Sequence, residues 1–108
     1  MPDAFIISAR RTPVAPIGGA FSHLNIWELT EQPIKDCIDD AGISLSDVDE
    51  VYIGNGVYGG GNPARLISLA SGLPERVPSL TIDTQCCSGM DAIIAGRNSS
   101  LHNSLYLY

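Results

Sequence analysis

The strongest constraint on the fold of this chain is the order in which short apolar runs and helical repeats alternate along it. Ala4–Ser8 is an apolar run with Phe5, Ile6 and Ile7, bounded by Arg10, Arg11 and Pro13, and it reads as a buried strand. Asn25 then stands as a helix cap, followed by Ile26, Leu29, Pro33, Ile34, Cys37, Ile38 and Ala41 at helical spacing. Gly42 marks a left-handed stop, and Pro33 removes one hydrogen bond from the helix interior, predicting a kink. Ser44–Asp49 is turn material, and Val51–Ile53 is the next strand. It runs into the glycine-rich stretch Gly54–Gly61. Asn62-Pro63 is a strong helix start, and Ala64, Ile67, Ala70 and Ser71 share one face before Gly72 and Pro74 end the helix. Val77–Ile82 is a third strand, entered through Pro78, which suggests an edge or strand-start position. Met90, Ile93 and Ile94 mark a further helix that begins close to Cys86.

Strand, helix, strand, helix, strand, helix requires crossover connections, and those produce a mostly parallel sheet covered by helices. The fold class is therefore α/β. The segment Arg97–Tyr108 shifts to Asn, Ser, Leu and Tyr and carries no strand signal. A three-stranded layer ending on a helix is incomplete, so the expected organisation is a partial domain over residues 2–96 and an anomalous tail over 97–108.

With 44% hydrophobic and 17% charged residues, the chain can build a core and is not of disordered type. The net charge of -6 is spread along the sequence without a basic stripe, which argues against nucleic acid as a partner. No apolar run approaches the length of a membrane span, and Met1–Ser8 has no basic lead into a long apolar stretch. The three cysteines show no metal-ligand spacing. Reduced thiols and a cytoplasmic location are the expectation, with no metal site and no membrane partner. Asp39-Asp40 and Asp47-Asp49-Glu50 read as solvated faces and turn residues.

Cys86 lies where the third strand meets the following helix. A strand fixes such a residue in place, and a helix N-terminus favours a thiolate and offers amides to an oxyanion. Gly89 permits close backbone approach, and Ser88 can satisfy a nearby amide. Position alone leaves a second reading open, in which Cys86 and Cys87 are small buried apolar residues.

The stretch Cys86-Cys87-Ser88-Gly89 with Ala92 resembles the thiolase pattern C-x-S-G-x-x-A around the acyl-accepting cysteine. Three further stretches agree with that family in type and order. They are Ile7–Pro13 with Gly18 and Phe21, Ala41-Gly42-Ile43 through Val48–Val51, and Gly61–Arg65. The resemblance covers Pro2 to Gly96 and implies a thiolase-like layered fold. Arg10–Pro13 and Asn62–Arg65 favour thiolase over the related ketoacyl synthases. Two positions depart from the family pattern: Asp83, where Asn is common, and Cys87, where a small residue is common.

By resemblance, Cys86 accepts an acyl group from a coenzyme A thioester, and Claisen condensation or thiolytic cleavage follows. Coenzyme A thioesters would be substrates, with no bound cofactor, and the family implies a homo-oligomer. The family's activating histidine sits in a downstream G-H-P-type motif and its second cysteine in a late C-x-G motif; the 108 residues contain no G-H-P, and Cys87-Ser88-Gly89, which spells C-x-G, belongs to the Cys86 stretch. His23 and His102 read as surface histidines. Arg65 reads either as an anion contact or as a solvated or interface arginine, and Gly54–Gly61 as a structural loop rather than a phosphate cradle. The alternative function is a non-catalytic remnant or association module using Val77–Ile82.

Overall fold

The computed structural model describes residues 3–57, 59–99 and 106–107. Helix α1, Ile26–Ala41, starts at Asn25, where Glu28 Oε2 accepts from the Asn25 amide at 2.7 Å. The cap position is as the sequence predicts, and Glu28 closes a capping box with Asn25. The helix runs through Pro33 without a break and stops at Gly42, whose φ of 66° lets the Gly42 and Ile43 amides turn back to Asp39 and Ile38. Arg10 pairs with Asp40 at 2.6 Å and fastens the N-terminal loop to the last turn of α1. The Asp40 carboxylate raises the Arg10 guanidinium's pKa through this hydrogen bond and charge.

Strand β1, Glu50–Gly54, is the centre of the sheet, and helix α2, Pro63–Ala70, leads to strand β2, Ser79–Ile82. Helix α3, Ser88–Ser99, follows, and Tyr106–Leu107 forms the short strand β3. The sheet order is β2-β1-β3, parallel throughout, with Val51 opposite Ser79 and Gly54 opposite Ile82. Pro78 sits just outside β2 and contributes only its carbonyl, which accepts from the Val51 amide. Proline suits a position that needs no donor. On the other side of β2, Asn62 Nδ2 donates to the Ser79 carbonyl at 3.0 Å and the Ala64 amide to Thr81 Oγ1 at 3.0 Å, so the start of α2 covers part of this edge.

Two expectations need correction. Ala4–Ser8 is not a strand, and Phe5 and Ile6 remain 81% and 79% exposed. β1 has β2 on one side and β3 on the other, and strand-forming composition without a partner edge does not make a strand. β3 instead falls in the tail, where the sequence carries no strand signal. The expected α/β architecture with a parallel sheet covered by helices nevertheless stands.

Alternation along β1 defines the layers. Val51 and Ile53 face the cluster built from Ile34 and Ile38 of α1, Ile67 of α2, and Val48, Leu73 and Val77. Tyr52 and Gly54 face α3: the Tyr52 hydroxyl bonds Ser99 Oγ at 2.8 Å, and Gly54 lies against the Ser88–Gly89 backbone. Helices α1 and α2 thus cover one face of the sheet and α3 the other. The buried face of α3 is Ser88, Ala92 and Gly96, while Met90, Ile93 and Ile94 point outward. Small residues let this helix approach the sheet closely. On α2 the buried arc is Pro63, Ala64, Ile67 and Ser68, continuing to Ser71; Ala70, expected on it, is exposed.

Ser68 is fully buried, yet its hydroxyl has no hydrogen-bond partner among the described residues. A stranded hydroxyl is a net cost. Ser68→Ala is therefore expected to stabilise the chain by about 1 kcal/mol in urea unfolding. Equal or lower stability would show that the hydroxyl is satisfied in solution.

Candidate functional site

The site is the turn between β2 and α3. β2 ends at Ile82, whose carbonyl accepts from the Asn55 amide at 2.8 Å. Gln85–Cys87 then forms a single 3₁₀ turn before α3 begins at Ser88. Gln85 has φ of 59°, the left-handed region that residues with a Cβ adopt infrequently. Its backbone is held on both sides. Asp83 Oδ1 accepts from the Gln85 amide at 3.0 Å, and Ser88 Oγ donates to the Gln85 carbonyl at 2.6 Å. Ser88 Oγ also accepts from the Thr84 amide at 2.9 Å, and Ser88 is only 4% exposed. Thr84 Oγ1 donates to Asp91 in the first turn of α3. A conformation of this kind persists only where the surroundings over-determine it.

Two glycines at the end of β1 shape the turn from the opposite side. A Cβ on Gly54 would lie 2.4 Å from the Gly89 nitrogen and 2.4 Å from the Ser88 carbonyl carbon, both immovable backbone. A Cβ on Gly56 would come within 2.9 Å of the Gln85 carbonyl oxygen. The strand end and the turn therefore touch backbone to backbone. This is the work of the first half of the glycine-rich stretch, and it agrees with the structural reading of that loop.

Held in this way, the turn presents Cys86 and Cys87 to solvent; both are free and exposed. The reading of the pair as buried apolar residues is thereby removed. Asp83, the unusual carboxylate in the motif, braces the turn by accepting from the Gln85 amide. Arg65 donates to the Val77 carbonyl from Nη1 and to the Glu75 carbonyl from Nη2, each at 2.9 Å. It ties down the approach to β2, which is a structural role. His23 is exposed in the turn before α1, and His102 lies outside the described residues. Among the described residues, no group of three or more His, Cys, Asp and Glu could hold a metal ion, and no helix is long and apolar enough to cross a membrane. A cleft of about 250 Å³ opens elsewhere, between Arg11-Thr12 and the Leu29–Ile34 stretch of α1, and none of its lining residues belongs to the Cys86 turn.

A strand that ends in a strained turn, with an exposed thiol at its tip and a helix running away from it, is a nucleophile-bearing geometry. The model of the thiolase N-terminal domain matches residues 4–102. The chain belongs to the thiolase family. It is 42% identical over 99 residues to the acetyl-CoA acetyltransferase of Schizosaccharomyces pombe, an alignment covering 90% of this chain and 25% of that enzyme. Among solved structures it is similar to the Bacillus anthracis acetyl-CoA acetyltransferase, with TM-score 0.84, 33% identity, and coverage of 92% of this chain and 26% of that one. It is also similar to a thiolase of Ascaris suum solved in complex with coenzyme A, with TM-score 0.82, 33% identity, and coverage of 91% and 26%. The chain spans about a quarter of the length of these thiolases. Its relationship is to acyltransferases, and the thiolase fold is present over the described residues as a partial domain.

The motif therefore sits in the fold it belongs to. The left-handed Gln85 and the double use of Ser88 are not visible in the thiolase motif as a string of letters. The glycines at 54 and 56 were a usable signal, since glycine at a strand end is one sign of a backbone approaching closely.

Proposed function

We propose that Cys86 is the acyl acceptor of a thiolase-type reaction on a coenzyme A thioester. The observation that carries this reading is the exposed thiol on a turn pinned by Asp83, Ser88 and the Gly54–Gly56 backbone. The Cys86 thiolate attacks the thioester carbonyl, and the carbonyl electron pair moves onto oxygen beside the first-turn amides of α3. As the oxyanion collapses, the bond to the coenzyme A sulfur breaks. Coenzyme A leaves as a thiolate and takes a proton from solvent, while Cys86 keeps the acyl group.

The second half of a thiolase cycle needs a base and an acid at the substrate's alpha carbon. By resemblance a second cysteine acts as both acid and base there, while a histidine activates the nucleophile; the 108 residues contain no G-H-P-type motif and no C-x-G beyond the Cys86 stretch. Loss of a positioned base typically costs about 10²–10⁴-fold in rate. The 108-residue protein is thus expected to acylate slowly and to stop there. Incubated with acetyl-CoA, it should release at most one coenzyme A per chain, read with a thiol reagent after gel filtration, and Cys86→Ser should release none. Release by Cys86→Ser equal to that by wild type would remove Cys86 from the chemistry. Sustained turnover that disappears in Cys86→Ala would show that no further base is needed. No release from the folded wild-type chain would favour the non-catalytic association module.

A further inference from the structure

Cys87 has no part in the acyl transfer described above, yet it too is free and exposed. We propose that Cys87 is the resolving thiol for Cys86: peroxide oxidation closes the adjacent pair into a disulfide that takes the nucleophile out of use and keeps it recoverable. The proposal deepens the reading of Cys86 as the reactive thiol and rests on it. The Cys86 thiolate attacks a peroxide oxygen, the O–O bond breaks, and hydroxide leaves, so Cys86 becomes a sulfenic acid. The Cys87 thiol then attacks the Cys86 sulfur, its proton goes to the departing oxygen, and water leaves as the S–S bond forms. Peroxide is reduced by two electrons and the two thiols lose them.

The third cysteine is poorly placed for this role. Cys37 is partly buried on α1, which covers the opposite face of the sheet from α3. Adjacent residues have Cα atoms about 3.8 Å apart, below the usual disulfide range, and a 3₁₀ turn sends successive side chains in different directions. The linking peptide must therefore rotate before the ring can close. That peptide is the loosest part of the turn. Its N–H, on Cys87, reaches the Thr84 carbonyl at 3.4 Å, whereas the bonds flanking it, from Ser88 Oγ to Gln85 and from Thr84 to Ser88, are 2.6 and 2.9 Å. The pair can rearrange while the strand end and the helix start stay in place.

The test is peroxide treatment of the folded 108-residue protein without acyl-CoA, followed by alkylation with iodoacetamide and tryptic mapping. Val77–Arg97 contains no internal Lys or Arg and carries both Cys86 and Cys87, while Cys37 lies on a different peptide. In the wild type this peptide should lose two hydrogens, neither of its cysteines should alkylate, and dithiothreitol should restore both. In Cys87→Ser the two-hydrogen loss should disappear, and Cys86 should proceed to the sulfinic acid. One cysteine still alkylatable after the two-hydrogen loss would mean closure onto a backbone nitrogen and would overturn the proposal. So would the same loss in Cys87→Ser, equal over-oxidation in both proteins, or a disulfide between chains. The outcome is separable from the acyl-transfer reading. If the pair closes but acetyl-CoA never acylates Cys86, the redox proposal stands and the acyl-transfer one falls; acylation without pair closure gives the reverse.

Discussion

Gly54→Ala should lower the stability of the chain by about 3 kcal/mol, the upper part of the usual range for forcing extra atoms into a packed site. The new methyl group would have to occupy space 2.4 Å from two backbone atoms of Ser88 and Gly89, and no side-chain rotation relieves that contact. Either α3 moves off the sheet or β1 bends, and both disturb the turn that carries Cys86. For a domain of this size the shift corresponds to a melting temperature roughly 15 °C lower. Gly59→Ala is the control, because a Cβ there meets nothing within 4 Å and the glycine has no positive φ. Thermal unfolding followed by circular dichroism reads both variants. Equal melting temperatures for Gly54→Ala and Gly59→Ala would mean that the strand end and the helix start are not in contact.

The second large effect is expected from Ser88→Ala. One buried hydroxyl accepts from the Thr84 amide and donates to the Gln85 carbonyl, so its removal strands the Thr84 donor and leaves the Gln85 carbonyl with the Ser88 amide alone. Loss of such a bond with a buried partner left over costs about 1–3 kcal/mol. The consequence for function exceeds the consequence for folding. Without Ser88 Oγ, only the Ser88 amide still holds the Gln85 carbonyl against the pull of a more relaxed backbone, and Cys86 drifts from its position. Misplacing a reacting group by about 1 Å can cost around 10²-fold, so the single release of coenzyme A should slow by one to two orders of magnitude. Stopped-flow or quenched-flow release of coenzyme A, compared at a temperature where both proteins are folded, measures this. A rate equal to that of the wild type would show that Ser88 serves packing alone.

Much of this arrangement is legible in the sequence, because it rests on short-range signals. Asn25 and Gly42 bracket α1, Asn62-Pro63 starts α2, and the apolar runs of β1 and β2 stand between them. The Cys86 motif and the stretches collinear with it point to the thiolase family, and that membership stands. What was not legible depends on pairing and on contact. Phe5, Ile6 and Ile7 have the composition of a strand, but a strand exists only beside an edge that will accept it, and β2 and β3 flank β1 here. Met90, Ile93 and Ile94 mark α3 as a helix, yet the face that meets the sheet is the one with Ser88, Ala92 and Gly96, since only small residues allow the approach that Gly54 permits. Arg65 likewise admits two readings as a letter and resolves into one once its guanidinium is found on the Glu75 and Val77 carbonyls.

The central proposal is that the acyl group goes to Cys86 and not to its neighbour, which is exposed as well. It is tested most directly by incubating wild type, Cys86→Ser and Cys87→Ser with acetyl-CoA and measuring the mass of the Val77–Arg97 peptide at low pH, which preserves thioesters. One acetyl group is expected on this peptide in the wild type and in Cys87→Ser, and none in Cys86→Ser. An acetyl group that persists in Cys86→Ser and is lost in Cys87→Ser would contradict it.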